Sequence, residues 1–453
     1  QGENLLYCFE VAPAQPALTQ VTQCRAEGST RGLAAVPRLA LDVMACEVLR
    51  VLQLTDTALV PVSYLVPRKS VQDFHEDLFP DCAGMLPATG AQAWWAGDNQ
   101  QVGRVSLPPA RRPTETFSSP VIASTPLPAA DASSTDADAD RSEASGYSSP
   151  SSLASPSSAT TSLSASTGPS SGFASSPSQK SLQNILGPSS RFRHAQGRVL
   201  HRDTHLTNLR GLSLTTPGEC DGFCANHQRV ALPLLSAGGQ IAVLELSKPG
   251  RLPDAAVPTI QNGAAVADLS WDPFDPRRLA VAGEDAKIRL WRIPEGGLQE
   301  TLREPEAVLR GHTEKIYSIR FHPVASDLLV SSSYDMTVRI WELSTGREAL
   351  CLRGHTDQVS DDTFGFAVAT TSWCPVSIGK KGDTRWGQGS PRDTVSHPHY
   401  CHCPRSRSER RILLYRAQAL PEGPLAVLGL DVAPSTLLPF YDEDTGVVFL
   451  TGK

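Results

Sequence analysis

An internal repeat constrains the fold of this chain more than any other feature of its sequence. Residues 271–273 align without a gap on residues 321–323, and the same offset of 50 residues aligns 288–291 with 338–341. Each copy contains three apolar runs of strand length, separated by polar turns. A sequence period of this size indicates one supersecondary unit repeated in space, so we expect a fold built from several small antiparallel sheets.

The ends of each copy identify the kind of repeat. Gly311-His312 opens the second copy, Trp341-Glu342 closes it, and Gly354-His355 would open a third. A glycine-histidine pair at the start and a tryptophan followed by an acidic residue at the end are typical of a β-propeller blade. The segment therefore resembles the WD-repeat family and predicts an all-β, WD-repeat β-propeller.

The WD-repeat resemblance implies a structural role for several polar residues. In that family a His, a Ser or Thr, an Asp and a Trp form one hydrogen-bonded chain inside a blade. The matching residues are His312, one of Ser331 to Ser333, Asp335 and Trp341. The preceding blade keeps Asp285 and Trp291 but has Asn262 at the histidine position, so we expect its chain to be incomplete. We interpret these residues as structural and not catalytic, because such networks stabilise a blade.

A second resemblance lies immediately before the blades. Residues 190–194, which read Ser-Arg-Phe-Arg-His, resemble the opening signature of the coronin family, and residues 223–226 continue the match. Arg210 matches a coronin arginine that contacts filamentous actin. The resemblance implies an actin-binding surface, with Arg210 as the first candidate and Arg193 and Arg191 as further candidates. The alternative for these arginines is an ordinary solvated run of basic residues.

The order of the coronin-like motifs indicates the long, tandem type of coronin. Residues 39–107 resemble the segment that follows a coronin propeller, and they precede the opening signature of another. We predict five regions: the last strands and C-terminal extension of a first propeller at 1–107, a linker at 108–189, the opening blades of a second, incomplete propeller at 190–359, a non-repeat segment at 360–410, and truncated strands of a late blade at 411–453.

The linker has a composition of its own. Ser, Pro, Ala and Thr dominate residues 108–189, and aromatic residues nearly vanish. Such a segment cannot bury enough apolar surface to offset chain entropy, so we predict that it is disordered. It is either a passive spacer or a target of proline-directed kinases. Ser or Thr precedes Pro at Ser119, Thr125, Ser149, Ser155 and Ser176.

Residues 360–410 depart from the blade pattern. Their Gly-rich stretches at 379–383 and 387–391 do not read as strands, and we expect a variant of a longer coronin that lacks intervening blades. The segment also contains residue types that bind zinc, namely His397, His399, Cys401, His402 and Cys403. Ligands adjacent in sequence rarely converge on one ion, and no second ligand pair stands nearby. We therefore predict no metal site.

The composition argues against several classes of function. A net charge of −6 over 453 residues gives no global attraction to nucleic acid, and the apolar runs are too interrupted for a transmembrane segment. The first residues lack the basic region of a signal peptide, and the ten cysteines favour reduced thiols in the cytosol. No catalytic constellation or nucleotide-binding glycine motif is recognisable, so we predict that the protein is not an enzyme and needs no cofactor.

The coronin resemblance implies a function as well as a fold. It predicts an actin-filament-binding scaffold that regulates the actin cytoskeleton in post-Golgi vesicle trafficking, with vesicle-trafficking adaptor proteins as further partners. The expected locations are the cytosol, the Golgi apparatus and trans-Golgi network, and cytoplasmic vesicles. The alternative is a generic WD-repeat adaptor without actin binding, such as a substrate receptor of the ubiquitin-ligase machinery. Co-sedimentation with actin filaments distinguishes the two.

Overall fold

The computed structural model describes the greater part of the chain, in segments, and all of them belong to one compact unit. The described ranges are 5–11, 17–25, 30–70, 73–98, 100–111, 190–213, 223–353, 364–369, 372–377, 398–401, 409–416, 426–432, 437–442 and 444–452. The predicted disorder of the linker falls almost wholly outside them, as do Gly354-His355 and the Gly-rich stretches at 379–383 and 387–391.

Nearly every described element is a β-strand. Strands before the linker are β1 Leu5–Val11, β2 Leu18–Arg25, β3 Gly32–Ala35, β4 Glu47–Leu54, β5 Ala58–Leu65, β6 Cys82–Ala83, β7 Thr89–Gly90 and β8 Arg104–Val105. The first strands after it are β9 Gln196–Val199, β10 Leu206–Thr207, β11 Cys224–Ala225, β12 Arg229–Pro233, β13 Gln240–Glu245, β14 Gly250–Arg251 and β15 Thr259–Gln261.

The repeat region and the C-terminal part supply the remaining strands. They are β16 Val266–Trp271, β17 Arg278–Gly283, β18 Lys287–Arg292, β19 Ala307–Arg310, β20 Ile316–Phe321, β21 Ala325–Ser326, β22 Leu328–Ser333, β23 Thr337–Glu342, β24 Arg347–Arg353, β25 Phe364–Ala369, β26 Ser372–Ser377, β27 Pro398–Cys401, β28 Glu409–Arg416, β29 Ala426–Val432, β30 Leu437–Asp442 and β31 Val447–Gly452. Helix α1 covers Ala91–Trp95, and short 3-10 helices cover Arg38–Ala40 and Arg202–Thr204.

The sequence repeat corresponds to two equivalent sheets. One has the strand order β16-β17-β18-β19 and the other β20-β22-β23-β24. Their first three strands begin at residues 266, 278 and 287 in one sheet and at 316, 328 and 337 in the other, so the offset of 50 is kept strand by strand. A third sheet, β11-β12-β13-β15, precedes them. The predicted all-β fold is confirmed.

Strands from both sides of the linker share sheets. The order β2-β1-β31-β30 pairs the first described strand with the last, and β5 pairs with both β9 and β10 in another sheet. The sequence assigned residues 1–107 and 190–359 to two propellers. Within the described residues, edge strands of one range supply ladder partners for strands of the other. The assignment of the two ranges to a first and a second propeller stays a prediction.

The core follows the same joint arrangement. Phe192 of the coronin-like opening is buried in an apolar cluster with Leu78 from one side of the linker and Val447 and Phe449 from the C-terminal strands. A second cluster joins Leu59 to Phe223 and Leu244, among others. These contacts bury apolar side chains from both sides of the linker, which is the main favourable contribution to folding.

Residues 360–410 contain more regular structure than the sequence indicated. The strands β25 and β26 form an antiparallel hairpin, and β27 pairs with β28. Short apolar runs at 364–369 and 372–377 have the length of strands, although they do not match the repeat. These segments therefore differ from the WD repeat in their sequence, although they form strands.

Candidate partner-binding surface

The second repeat contains a continuous hydrogen-bonded chain. Nε1 of Trp341 donates to Oγ of Ser331 at 2.8 Å, and that oxygen lies 2.7 Å from Nε2 of His312. Nδ1 of His312 lies 2.8 Å from Oδ2 of Asp335. A neutral histidine with its proton on Nδ1 satisfies every bond, because Ser331 then donates to Nε2 and Asp335 accepts from Nδ1.

The electrostatics of this chain favour the same protonation states. Burial lowers the pKa of His312, although the hydrogen bond and charge of Asp335 act in the opposite direction. Burial alone would raise the pKa of Asp335, but hydrogen bonds from Thr337 and His312 outweigh it and hold that pKa below its ordinary value. The chain therefore pairs a neutral imidazole with a carboxylate, inside a blade and away from solvent.

The first repeat has the same strands with a different set of polar partners. Asp285 forms paired hydrogen bonds with the guanidinium of Arg289 at 3.1 and 2.7 Å. Val281 occupies the position equivalent to Ser331, and Asn262 the position equivalent to His312. Within the described part of the chain, nothing accepts a hydrogen bond from Nε1 of Trp291. The incomplete chain that the sequence indicated is thus interrupted at two positions.

The opening signature forms a turn that is tied to three segments. Arg191 donates to the carbonyl oxygens of Asp77 and Thr445, both at 2.9 Å, and its guanidinium lies 4.9 Å from the ring centre of Phe192. Nη2 of Arg68 donates to the Arg191 carbonyl at 3.1 Å. These contacts hold the turn in place, and a role of Arg191 in actin binding stays a prediction.

Arg193 and Arg210 lie at the surface. Arg193 follows the buried Phe192 in the turn and is exposed, and Arg210 follows β10, whose sheet neighbours are β5 and β14. His194, between the turn and β9, has a positive φ of 66° and is also exposed. The three candidate arginines therefore differ in exposure: Arg191 is half-buried, whereas Arg193 and Arg210 are exposed.

Arg210 belongs to a small charged cluster beside the edge strand β14 of its sheet. Nη2 of Arg210 and Nη2 of Arg251 both donate to Oδ1 of Asp254, the latter at 3.1 Å. Asn208 donates to the same oxygen at 3.1 Å and accepts from Nε of Arg210 at 3.2 Å. The side chains of Arg210, Arg251 and Asp254 are 61%, 67% and 65% exposed.

The cluster has an excess of positive charge. Hydrogen bonding from Asn208 and the charges of Arg210 and Arg251 lower the pKa of Asp254, so one carboxylate lies between two guanidiniums. Sequence reasoning missed Arg251 and Asp254, because the parallel pairing of β10 with β14 brings Arg251 beside Thr207 over a long loop. The pattern Arg-x-x-Asp at 251–254 was visible but carried no indication of that pairing.

The described residues give no support to a metal centre. Among the positions that the structure covers, no group of three potential ligands could hold an ion. Of the zinc-type residues, His399 and Cys401 lie on β27 opposite Tyr415 and Leu413, while His397, His402 and Cys403 fall outside the described ranges. Within those ranges, no helix has the length and apolar character needed to cross a bilayer.

Known protein families match three parts of the chain. A type of WD40 repeat matches residues 59–102, and the WD domain, G-beta repeat matches residues 303–342. A domain of unknown function, DUF1899, matches residues 187–251, which contain the opening turn, Arg210 and Arg251. Together with the blade-like sheets, these matches define a WD-repeat β-propeller protein, as the repeat predicted.

Whole-chain relatives narrow the assignment. Coronin-7 of Bos taurus is 60% identical over 477 residues, covering 100% of this chain and 50% of the relative. Coronin-7 of Homo sapiens is 58% identical over 481 residues, covering 100% and 51%. A solved WD40 domain from Toxoplasma gondii coronin covers 54% of this chain and 67% of its own, with 24% identity and a TM-score of 0.43. The chain belongs to the coronin family and resembles coronin-7, and it spans about half the length of these relatives.

Proposed function

We propose that the protein is an actin-filament-binding scaffold and that the cluster of Arg210, Arg251 and Asp254 is part of its filament contact. Membership of the coronin family supports filamentous actin as the general kind of partner. The single observation that carries the site is the position of Arg210: it is exposed, and it stands beside a second exposed arginine, Arg251 of the edge strand β14.

The chemistry of the cluster suits an acidic protein surface. Guanidinium groups form paired hydrogen bonds with carboxylates in a geometry that lysine cannot reproduce. Asp254 accepts from one nitrogen of Arg210 and one of Arg251, so it keeps the two side chains close together while both stay largely exposed. A filament carboxylate can therefore approach two arginines at once, and attraction over an exposed surface of this kind weakens as salt increases.

The finer part of the proposal concerns cellular context. We propose that actin binding serves post-Golgi vesicle trafficking, with adaptor proteins as additional partners, and that the protein is found in the cytosol and on the Golgi apparatus, trans-Golgi network and vesicles. The resemblance to tandem coronins supports this. Imaging of the tagged chain beside a trans-Golgi marker tests it, and a purely diffuse distribution would contradict the vesicle proposal.

Co-sedimentation with actin filaments tests the binding proposal directly. The affinity of the variant Arg210→Asp for filaments should be at least about tenfold lower than that of the wild type, which corresponds to roughly 1.4 kcal/mol. Its melting temperature should change little. Asp254→Asn should pellet as well as the wild type or better, because it removes the negative charge and keeps both arginines.

Arg31→Asp is the matched control for the charge change. Arg31 is also an exposed arginine paired with one exposed carboxylate, that of Asp56 at 2.6 Å, but it lies outside the cluster. It alters the net charge by the same amount, so it should lose far less binding. If the two variants lose equal amounts of filament binding, the loss is explained by the change in net charge, and Arg210 is not part of the site. Unchanged pelleting of Arg210→Asp at low salt would leave the generic adaptor as the better hypothesis.

A further inference from the structure

The two sides of the linker fit each other as partners in an interface. Among the described residues, four ladders join them: β1 with β31, β5 with β9, β5 with β10, and β7 with β21. Each ladder supplies main-chain hydrogen bonds to an edge strand that would otherwise be open, which is the mode of recognition in β-strand addition. The ladders fall in three different sheets, so they fix orientation as well as register.

Contacts outside the ladders continue the interface. Oγ1 of Thr22 donates to the Ala195 carbonyl at 3.2 Å, and the amide of Ala88 donates to the Val324 carbonyl at 2.9 Å. The ring of Trp94 stacks edge-on against His322 at 4.9 Å. Apolar clusters contain buried residues from both sides, so the interface resembles a domain core divided in two, as in obligate complexes.

Charged groups from both sides of the linker meet at the turn between β30 and β31. Nη2 of Arg104 lies 2.7 Å from Oδ1 of Asp444, and Nη1 of Arg38 lies 3.8 Å from its Oδ2. Arg191 donates to the carbonyl of the next residue, Thr445. The acidic turn between β30 and β31 is thus held by two arginines that come from the other side of the linker and by a third from its own side.

We propose that residues 190–452 form an interaction surface for a strand-rich segment, that the chain's own residues 5–111 occupy it, and that this recognition persists without a covalent linker. The surface consists of the β31 edge, the β9 and β10 edge, β21, and the acidic turn at Asp444. The ladders, the shared apolar clusters and the arginine contacts are all non-covalent. Because an interface of this kind holds separate chains together in obligate complexes, we expect it to hold the two pieces together without a tether.

The experiment uses the full chain with a specific protease site inserted between residues 112 and 189. After complete cleavage, the two pieces should elute together from a sizing column at micromolar concentration, with a melting temperature close to that of the uncleaved chain. Separation of the pieces at that concentration, or loss of the folded signal on cleavage, would overturn the proposal. If two differently tagged copies are mixed during folding and then cleaved, recovery of residues 5–111 of one copy bound to residues 190–452 of the other would show that a second copy donates the segment, and would overturn the assignment to the chain's own residues.

A paired set of variants tests the arginine contact. Asp444→Asn should fold in the uncleaved chain, where the tether maintains a high effective concentration, and should weaken association of the cleaved pieces by about tenfold. Asp254→Asn is the control, because its carboxylate also contacts two arginines, Arg210 and Arg251, but all three lie on the same side of the linker. If the two cleaved variants dissociate equally, the acidic turn at Asp444 is not part of the interaction surface.

Discussion

The central tryptophans of the two repeats, Trp341 and Trp291, are both fully buried but differ in their hydrogen bonding. Trp341 donates to Ser331, whereas the equivalent strand position beside Trp291 is Val281. The presence or absence of one side-chain oxygen therefore decides whether each tryptophan N–H has an acceptor. A buried N–H without an acceptor costs about 1–3 kcal/mol, so the two blades should respond in opposite ways to exchange at this position.

We expect Ser331→Val to destabilise the protein by about 2 kcal/mol or more, because it leaves Nε1 of Trp341 and Nε2 of His312 without partners. Val281→Thr keeps nearly the same shape and offers an oxygen to Trp291, so it should be neutral or stabilise by about 1 kcal/mol. Urea titration measures both. If Val281→Thr costs as much as the same change at the buried Val62, whose apolar cluster contains no tryptophan, the proposed equivalence with Ser331 is wrong.

His322 provides a pH-dependent test. Its Nδ1 accepts from the amides of Val324 and Ala325 at 3.2 and 2.9 Å, and burial lowers its pKa to about 4. The unfolded chain has an ordinary histidine pKa of about 6.5, so it binds a proton first as pH falls. Stability should therefore be complete above pH 6.5 and decrease by up to about 3 kcal/mol on acidification to pH 4.

The variant His322→Asn separates this contribution from those of other buried groups. In the first repeat Oδ1 of Asp272 accepts from the amides of Phe274 and Asp275, so an oxygen can perform the same capping role. An asparagine at 322 keeps that oxygen and does not titrate. Chemical denaturation of both proteins between pH 4 and 7 should show a shallower acid loss for the variant. Parallel curves would mean that His322 is not the titrating group.

At the scale of elements, the pairing of β9 with β5 depends on one glycine. Gly197 lies opposite Tyr64, and a Cβ at residue 197 would stand 2.7 Å from Cε1 of that buried ring. The ring is enclosed by the core and cannot move away without displacing its neighbours, because protein interiors are close-packed. The glycine of the coronin-like opening is thus required by the packing of a strand from the other side of the linker.

We expect Gly197→Ala to destabilise the protein by about 1–3 kcal/mol through overpacking against Tyr64. Gly296→Ala is the matched control, since a Cβ there meets nothing within 4 Å. Thermal unfolding of the two variants provides the comparison. A loss at Gly197 no larger than that at Gly296 would show that the β5–β9 pair opens easily to admit the methyl group.

The sequence predicted those elements whose signals are local. The repeat placed the strands around Trp291 and Trp341, because its apolar runs and turn residues recur at a fixed offset. It did not predict the ladder between β1 and β31, since strand pairing at that separation leaves no periodic pattern in either segment. The same reason explains why Arg210 was singled out by resemblance while Arg251, its neighbour in the fold, was not.

At the scale of the molecule, polar contacts also join neighbouring blades. Asp268 of β16 accepts from Oγ of Ser318, the amide of Ile319 and Nη1 of Arg320, all on the next sheet, at 3.0, 2.9 and 2.7 Å. Arg278 extends from β17 to Asp327, beside β22, at 2.6 Å. Sheets that share buried hydrogen bonds, apolar clusters and edge ladders should lose their structure together, because opening one leaves unpaired groups on the next.

This connectivity predicts one cooperative unfolding transition for the whole described unit. Two independent propeller fragments would unfold at two denaturant concentrations, whereas shared sheets allow a single midpoint. Pulsed hydrogen exchange across a urea series, read peptide by peptide, compares the segments directly. Peptides covering β4 and β5 should become exposed at the same urea concentration as those covering β17, β18, β22 and β23. An earlier transition for β4 and β5 would mean that residues before the linker form a separate folding unit, despite the ladders that they make with β9 and β10.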